Sequence, residues 1–581
     1  MTKTETRTCQ NCKQEFTVEP EDFAFYEKIQ VPPPTWCPEC RRQRRMAFRN
    51  ERSLYKDTCD LCGKSVISMY SGDRPFKVYC YDCWFSDKWD VLSYGREYDF
   101  SKPFFRQFRE LLADVPRLAL ESLQNQNAPY SNFTWLSKDV YMAPSTFYSE
   151  NVAYSHKAFH DRDVFDSSVV TDSELCYESM DTNHAVHSAY LQNCRDCMDS
   201  YFLYNCAGCK SCFMGSNLRN KSYVFRGEQL TKEDYEERLK RIGLGSAKTI
   251  ESLKGEYAEL KKNSIQRFAF TNKVVNVSGN HIINSKNIFK SFNVDECENL
   301  RYCTQALKIK DCMDLYGAGD GGELSYEGVN VAYHDSRNFF SSNTYENIVN
   351  VEYSDYCRGG SNLFGCVGVR KKDFCILNKQ YSKEEYEALL PKIKKQMGEM
   401  PYTDEKGRIY KYGEFFPIEI SPFAYNETIA QEYFPLTAER AAEEKYPWRN
   451  ETARDYAASV KVNELPDDIE GVKDDILDQT IECPHGGKCG EQCTGAFRII
   501  APELQFLRRM DLPLPHLCPN CRHYERLKQG TPLRLWHRSC MCDTSTHFHG
   551  RGKCPNEFET AFAPDRPETV YCEECYNAEV V

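Results

Sequence analysis

The chain has 581 residues, 30 of them cysteine, with 13% aromatic residues and a formal net charge of −12. That length supplies several hydrophobic cores and the aromatic content excludes a disordered chain, while the acidic balance excludes a protein that coats nucleic acid with its whole surface yet leaves room for local basic patches. The N-terminus MTKTETRTCQ lacks the apolar centre of a signal peptide and no apolar run reaches membrane length, so the expectation is a cytoplasmic protein without a membrane partner, its thiols held by metal rather than in disulfides.

The first ninety residues carry two pairs of Cys-x-x-Cys knuckles: Cys9, Cys12, Cys37 and Cys40, then Cys59, Cys62, Cys80 and Cys83. One knuckle offers two soft ligands from a single turn and two knuckles close a tetrahedral site. The block recurs at the other end of the chain. The spacing from Cys12 to Cys37 equals that from Cys493 to Cys518, and DRPFKVYCYDC (73–83) answers DRPETVYCEEC (565–575). The offset between the copies is 481 up to Cys540 (12 to 493, 59 to 540) and 492 beyond it (62 to 554, 80 to 572), and the difference places a single insertion between Cys540 and Cys554. The alignment yields a third set, Cys489, Cys493, Cys518 and Cys521, with one extra residue in its first knuckle, and a fourth, Cys540, Cys554, Cys572 and Cys575. Cys483 and His485 stand near the third set, and Cys542, His547 and His549 near the fourth, as competing ligands. Four protein ligands leave no open position for water, so about four structural zinc ions are expected, and no catalytic or cofactor-binding residue is assigned.

Both blocks turn basic after the closing knuckle. Residues 41–56 hold seven cations against one acid and residues 522–538 five against one, with Phe48, Tyr55, Tyr524 and Trp536 among them. Cations beside stacking rings suit phosphate and unstacked bases, which nominates Arg41, Arg42, Arg44, Arg45, Arg522 and Arg526 as RNA contacts. The competing reading pairs these arginines with the chain's own abundant acids.

Ser101 followed by KPFFRQFRELLADV reads as a capped helix with Phe104, Phe105, Phe108, Leu111, Leu112 and Val115 on one face. Near residue 150 a short period begins. Asn193, Asn205 and Asn217 recur at steps of twelve, and Val164, Leu175, Val186 and Cys197 at steps of eleven. In a second stretch Asn287, Asn299, Asp311 and Glu323 step by twelve, as do Asn338, Asn350 and Asn362. Such a step predicts β-solenoids, with coils about 4.8 Å apart and corner Asn side chains bridging them. Cys194, Cys197, Cys206, Cys209 and Cys212 read as buried thiols filling this interior, with a metal site as the lesser alternative. Both arrays end alike: 221–242 aligns without gaps on 372–393, and Thr231 and Ser382 sit where a helix cap belongs, with an acid three residues on. A helical hairpin over the solenoid edge is expected after the first array, an aromatic strap from Tyr402 to Trp448, and a flexible acidic linker from Glu464 to Asp478.

The block from Cys9 to Arg45 resembles a small bacterial zinc-ribbon domain, through Phe16, Glu21 or Asp22, Phe25, Tyr26 and Cys37-Pro38-Glu39-Cys40-Arg41; the second copy matches through Phe497, Glu503, Phe506 and Cys518-Pro519-Asn520-Cys521-Arg522 and departs at Cys489. The whole chain resembles uncharacterised bacterial multi-zinc-ribbon proteins with a Cys- and Asn-rich repetitive middle. The resemblance implies an architecture and no activity. The expected fold is mainly β with some α: tandem zinc ribbons at 1–90, helix and connector at 91–149, β-solenoid-like arrays at 150–264 and 265–398, each closed by a helix, strap and linker at 399–481, and a second ribbon pair at 482–581. The expected role is a non-enzymatic zinc-binding scaffold with RNA as partner, the alternative being a protein-interaction adaptor using the ribbons and the strap, and an enzyme on the solenoid face a third class.

Overall fold

A computed structural model describes residues 4–450 and 458–580. Every third residue from Phe133 to Asn205 has a left-handed backbone, with φ between 42° and 62°. Three residues per side and four such corners make one coil, and strands pair in parallel with the residues one coil later: Val152 with Val164, Val164 with Cys176, Cys176 with Ser188. A left-handed residue other than glycine costs about 1–2 kcal/mol, and Asn, Asp and His tolerate it best because a short polar side chain bonds locally. The corners use them freely, among them Asn151, His160, Asp163, Asp172, His184, Asn193 and Asn205. The same side chains bridge coils, as the spacing predicts: Asn205 Nδ2 donates to Asn217 Oδ1 at 2.7 Å, Asn287 to Asn299 at 2.9 Å and Asn299 to Asp311 at 2.8 Å.

Inside the coils a second ladder runs parallel to the first. Ser155 Oγ donates to the carbonyls of Ala153 and Val164 at 3.1 and 3.3 Å and accepts the Ser167 N–H at 3.1 Å. Cysteine fills the same role. Cys194 Sγ reaches the carbonyls of Gln192 and Leu203 at 3.4 and 3.3 Å, and Cys206 Sγ accepts the Leu218 N–H at 3.4 Å. These thiols satisfy backbone groups that an apolar side chain would leave bare. Burial pushes the Cys297 and Cys303 thiols up to about 12, so they remain neutral donors.

The coil length corrects the sequence pattern in both arrays. The step of eleven through Val164, Leu175, Val186 and Cys197 does not exist, since Val164 pairs with Cys176 and Leu175 is a left-handed corner. In the second array the coils are not uniform. Val275 pairs eleven positions ahead with Lys286 and Leu300 twelve ahead with Cys312, but Lys310, Glu323, Ser336 and Val349 follow one another at steps of thirteen. Each of the three longer coils adds one position. Accordingly the offset between the arrays grows from 148 (162 to 310) before them to 151 (222 to 373) after them, each pair of residues starting an equivalent side.

The chain divides into two compact units, one of Met1–Leu120 with Ala269–Asn450, the other of Glu121–Phe268 with Glu451–Val581. The N-terminal cysteine block therefore belongs with the second array, and the C-terminal block with the first. In the first unit the helix Phe104–Asp114 begins after Pro103 rather than on a Ser101 cap, and its apolar face packs as the period predicts: Phe104 lies 5.2 Å from Tyr353 and Phe108 stacks on Phe416 at 4.9 Å. The strap is buried through Phe415, Phe416, Ile418, Ile420, Phe423 and Tyr425. The closing helix Lys383–Glu399 has the predicted capping box from Ser382 and Glu385.

In the second unit the helices Lys232–Ile242 and Ala247–Asn263 follow the array, and Tyr257 Oη donates to the Leu203 carbonyl at 2.7 Å. The acidic stretch is not a flexible linker here. It forms short turns, Ile469–Gly471 and Asp474–Asp478, with Ile469, Val472 and Ile476 buried, because its apolar residues find a core even though its acids face water. Residues 451–457 of the segment preceding it lie outside the described residues.

Asp161 replaces serine in the inner ladder, accepting the Ser173 and Phe159 N–H groups at 2.9 and 3.1 Å. Burial pushes its carboxyl up to about 8. The folded chain then binds one more proton than the unfolded chain between the ordinary carboxylate range and pH 8, so stability falls as pH rises through that window. Asp161→Asn should remove this slope: its stability relative to wild type, from denaturant midpoints at pH 5 and pH 9, is expected to be higher at pH 9, and an unchanged difference would contradict the assignment.

Candidate metal centres and their docking helices

Each cysteine set is assembled from a strand hairpin, tight in the first two sets and long-looped in the others, and the start of a helix. Strands Glu5–Thr8 and Glu15–Val18 pair antiparallel and the turn between them holds Cys9 and Cys12, closed by Lys13 in the left-handed region with its N–H on the Cys9 carbonyl at 3.1 Å. In the second set Gly63 plays that part, φ 75°, between strands Tyr55–Thr58 and Ser65–Ser68. The second knuckle opens a helix: Cys37 precedes Pro38–Met46, Cys80 precedes Tyr81–Trp84, Cys518 precedes Pro519–Gln529 and Cys572 precedes Glu573–Val580. Helix N-termini favour thiolate over thiol.

The sulfurs converge. Cys9, Cys12, Cys37 and Cys40 place their Sγ atoms within 4.8 Å of one another, as do Cys59, Cys62, Cys80 and Cys83, and Cys540, Cys554, Cys572 and Cys575. The separations of Cys12 from Cys37 at 3.8 Å, Cys62 from Cys80 at 3.9 Å and Cys554 from Cys572 at 3.9 Å match the edge of about 3.8 Å expected for a tetrahedron of ~2.3 Å metal–sulfur bonds. All thirty cysteines are unbridged. These groups could bind a metal ion.

The third set differs from the alignment. The converging sulfurs are those of Cys483, Cys493, Cys518 and Cys521. Cys483 holds the place of Cys9: its N–H bonds the Gly495 carbonyl at 2.8 Å, as Cys9 does Gln14, and its Sγ accepts the Cys518 N–H at 3.5 Å, as Cys9 accepts that of Cys37 at 3.2 Å. Cys489 is thereby corrected from a member of this tetrahedron to a neighbour, 3.8 Å from Cys521 alongside His485, whose Nδ1 is 3.2 Å from the same sulfur. The first knuckle has been opened into a longer loop, 483–493, so the proper ligand lies outside the window in which a knuckle is sought. In the fourth set Cys540 carries the same signature, with its N–H on the Asn556 carbonyl at 2.8 Å and its Sγ accepting the Cys572 N–H at 3.2 Å.

The arginines that follow the knuckles point inward. Arg41, Arg42, Arg44 and Arg45 are 0–4% exposed, and Arg522 and Arg526 are 5% and 3% exposed. In the first unit Arg41 Nε and Arg45 Nη2 grip the two oxygens of Asp314 at 2.9 and 3.0 Å, and Arg45 Nη1 and Arg44 Nη2 grip those of Glu327 at 2.9 and 3.2 Å. Arg44 also donates to Glu414 of the strap at 2.9 Å. Arg42 lies over the Phe292 ring at 5.1 Å, and burial lowers its guanidinium to about 10. In the second unit Arg526 donates to Asp166 at 3.0 Å and to the Tyr154 carbonyl at 2.9 Å, while Arg522 donates to Asp166 and, at 2.9 Å, to Glu503. Burial raises the Glu503 carboxyl to about 7 against the pull of Arg522. The expectation that these six side chains contact phosphate is therefore corrected: their guanidinium groups are withdrawn from water and face the array.

The two dockings are copies. Asp314 and Asp166 are both left-handed corners, and one coil earlier a tyrosine lies against the first arginine, Tyr302 at 5.5 Å from Arg41 and Tyr154 at 4.6 Å from Arg522. The acids Asp314, Glu327, Asp166 and Glu414 carry no sequence signal of their own. The signal that finds them is the pair of arginines four positions apart, present in both blocks, which occupies one helix face and demands a carboxylate. The histidines of the first array are spread over separate contacts: His187 pairs with Asp199 at 2.8 Å, His184 lies between Asp172 and Asp196, His160 stacks on Tyr148 at 5.0 Å, and His156 lies 5.6 Å from the His523 ring.

No family model matches the chain, and no curated protein matches it. Among solved structures it is similar to a chain from Desulfovibrio desulfuricans G20 described as a "putative acetyltransferase", at 9% identity over 46% of this chain and 69% of that one, with a TM-score of 0.10. A score so low bears on neither fold nor activity.

Removing Arg45 or Arg526 leaves each carboxylate that it grips with one guanidinium in place of two, a partly uncompensated buried charge that costs on the order of a few kcal/mol. Arg45→Ala and Arg526→Ala are each expected to lower stability by that order in denaturant titrations, with little dependence on salt, since buried pairs are poorly screened. Arg45→Lys should not restore stability, because one ammonium cannot span both carboxylates as the guanidinium fork does.

Proposed function

We propose that the protein is a non-enzymatic scaffold in which four zinc ions, each held by four cysteines, clamp helices onto two β-solenoids. The observation that carries this reading is the duplicated docking: in both units the helix issuing from a four-cysteine set spends its arginines on a corner aspartate of the array. Four thiolates at tetrahedral spacing suit zinc among the common divalent ions and leave no open position for a reacting water. The ion would substitute for a hydrophobic core in blocks too small to have one. Thirty unbridged thiols fit a reducing cytoplasm. Among the described residues no helix is long and apolar enough to cross a membrane.

The burial of the six arginines removes the contacts on which RNA binding rested and shifts the reading towards protein partners. The apolar stretch of the strap from Phe415 to Tyr425 is also largely buried, and the outer faces of the arrays offer the more regular surface. Their coils present an Asn and Asp row, as at Asn287, Asn299 and Asp311, and ladders of alternating charge, as at Lys286 with Glu298 and Lys310 with Glu323, a geometry suited to an extended polar partner.

Native mass spectrometry of the full chain, purified under reducing conditions, should find at least four zinc ions; two or fewer would overturn the proposal. Substituting Cys12 and Cys40 together by serine should remove one ion and lower the melting temperature, and single-stranded RNA should show no salt-dependent binding to the intact chain.

A further inference from the structure

We infer that the fourth cysteine set is a two-metal centre, in which Cys575 bridges the four-cysteine ion and a second ion held by Cys542, His547 and His549. This rests on the reading of that set as a metal site and adds a second ion to it. Two ligand groups share this corner of the C-terminal block. Cys540, Cys554, Cys572 and Cys575 form one, and Cys542, His547, His549 and Cys575 form the other, with the donor atoms of each group mutually within 4.8 Å. Seven side chains with one shared thiolate are the number that completes two tetrahedra. Six of them would leave one ion short of a ligand.

The extra ligands are built rather than incidental. They come from the insertion that separates Cys540 from Cys554, the stretch absent from the N-terminal copy. Cys542 is fully buried, and its carbonyl accepts the Cys554 N–H at 2.8 Å, which fixes the loop against the first group. His547 Nδ1 stands 3.1 Å from Cys542 Sγ, and its far nitrogen, Nε2, faces Glu579 at 3.4 Å on a side chain only 6% exposed. A metal-bound histidine characteristically presents its other nitrogen to a carboxylate in this way, which sets the tautomer and the ring orientation. His549 is the second, independent sign. Both its ring nitrogens are buried without a hydrogen-bond partner, a costly state for an imidazole that a bond to a metal ion relieves.

Charge balance favours the pair as well. One zinc on four thiolates carries a formal charge of about −2, whereas two zinc ions on five thiolates and two neutral imidazoles carry about −1, and the lower charge is cheaper to bury. The donor set of the second ion, two sulfurs and two imidazoles, is one that zinc accepts in closed structural sites. Both ions being closed, the centre adds rigidity to the loop rather than a reactive position.

The test uses the full chain and counts metal per chain. His547→Ala/His549→Ala leaves all four cysteines of the first group in place, so it is expected to lose one ion relative to wild type and to keep the block folded. An unchanged count overturns the two-metal centre. Cys554→Ser tests the underlying reading separately: if that substitution alone leaves the count unchanged, the four-cysteine site itself fails, whatever the histidine variant does. After exchange with 113Cd, the shared thiolate should split two cadmium resonances by mutual coupling, and the splitting should vanish in the histidine variant. Two unsplit resonances from this block overturn the bridge.

Discussion

A guanidinium buried beside a carboxylate is stable only when the opposite charge is held at hydrogen-bond distance. In this protein arginines and acids meet out of water twice, Arg41, Arg44 and Arg45 around Asp314 and Glu327, and Arg522 and Arg526 around Asp166 with Glu503, and much of the architecture follows from it. The array supplies an aspartate at a left-handed corner, where a short acid is comfortable and its carboxylate projects. The helix supplies arginines four positions apart, whose placement is fixed by the cysteine immediately before it. A metal ion in the knuckle would therefore constrain the same helix that the ion pairs hold to the coil. Such pairs contribute little net stability compared with an apolar contact, but they are intolerant of misregistration, because a shift of one residue would bury an unmatched charge.

The inner ladders explain the composition of the middle of the chain. A four-cornered coil leaves backbone groups at its corners that need partners a short distance away, and serine, cysteine, threonine and the occasional aspartate serve. Cysteine can stand in for serine in this ladder, since a thiol is a weaker donor but a better apolar filler than a hydroxyl. The abundance of cysteine therefore has two unrelated causes: converging groups of four thiols in the terminal blocks and buried partners for backbone groups in the arrays.

What could be read from the sequence follows the exposure of the signal. Asn at the outer corners is fixed by backbone conformation and by its neighbours one coil away, so the period of twelve is visible through Asn193, Asn205 and Asn217. The apolar positions mislead, because Leu175 looks like an interior residue and occupies a corner. The longer coils of the second array escape detection for a related reason: an extra left-handed residue such as His334 or Asn347 inserts without disturbing the strands on either side. Cys483 is hidden by a lengthened knuckle, and the partners of the arginines by distance along the chain, since no local pattern ties Arg41 to an aspartate 273 residues on. A count of basic residues records charge but not its destination.

The pairing of each cysteine block with the more distant array also sets a schedule for synthesis. Arg44 must wait for Glu414, 370 residues later, which at about 5–20 residues per second is roughly 20–70 s after it leaves the ribosome. Until Asp314 and Glu327 have also been made, the arginines of the first block have no array to receive them. A metal ion acquired early by Cys9, Cys12, Cys37 and Cys40 would hold that fragment in shape until its carboxylates arrive.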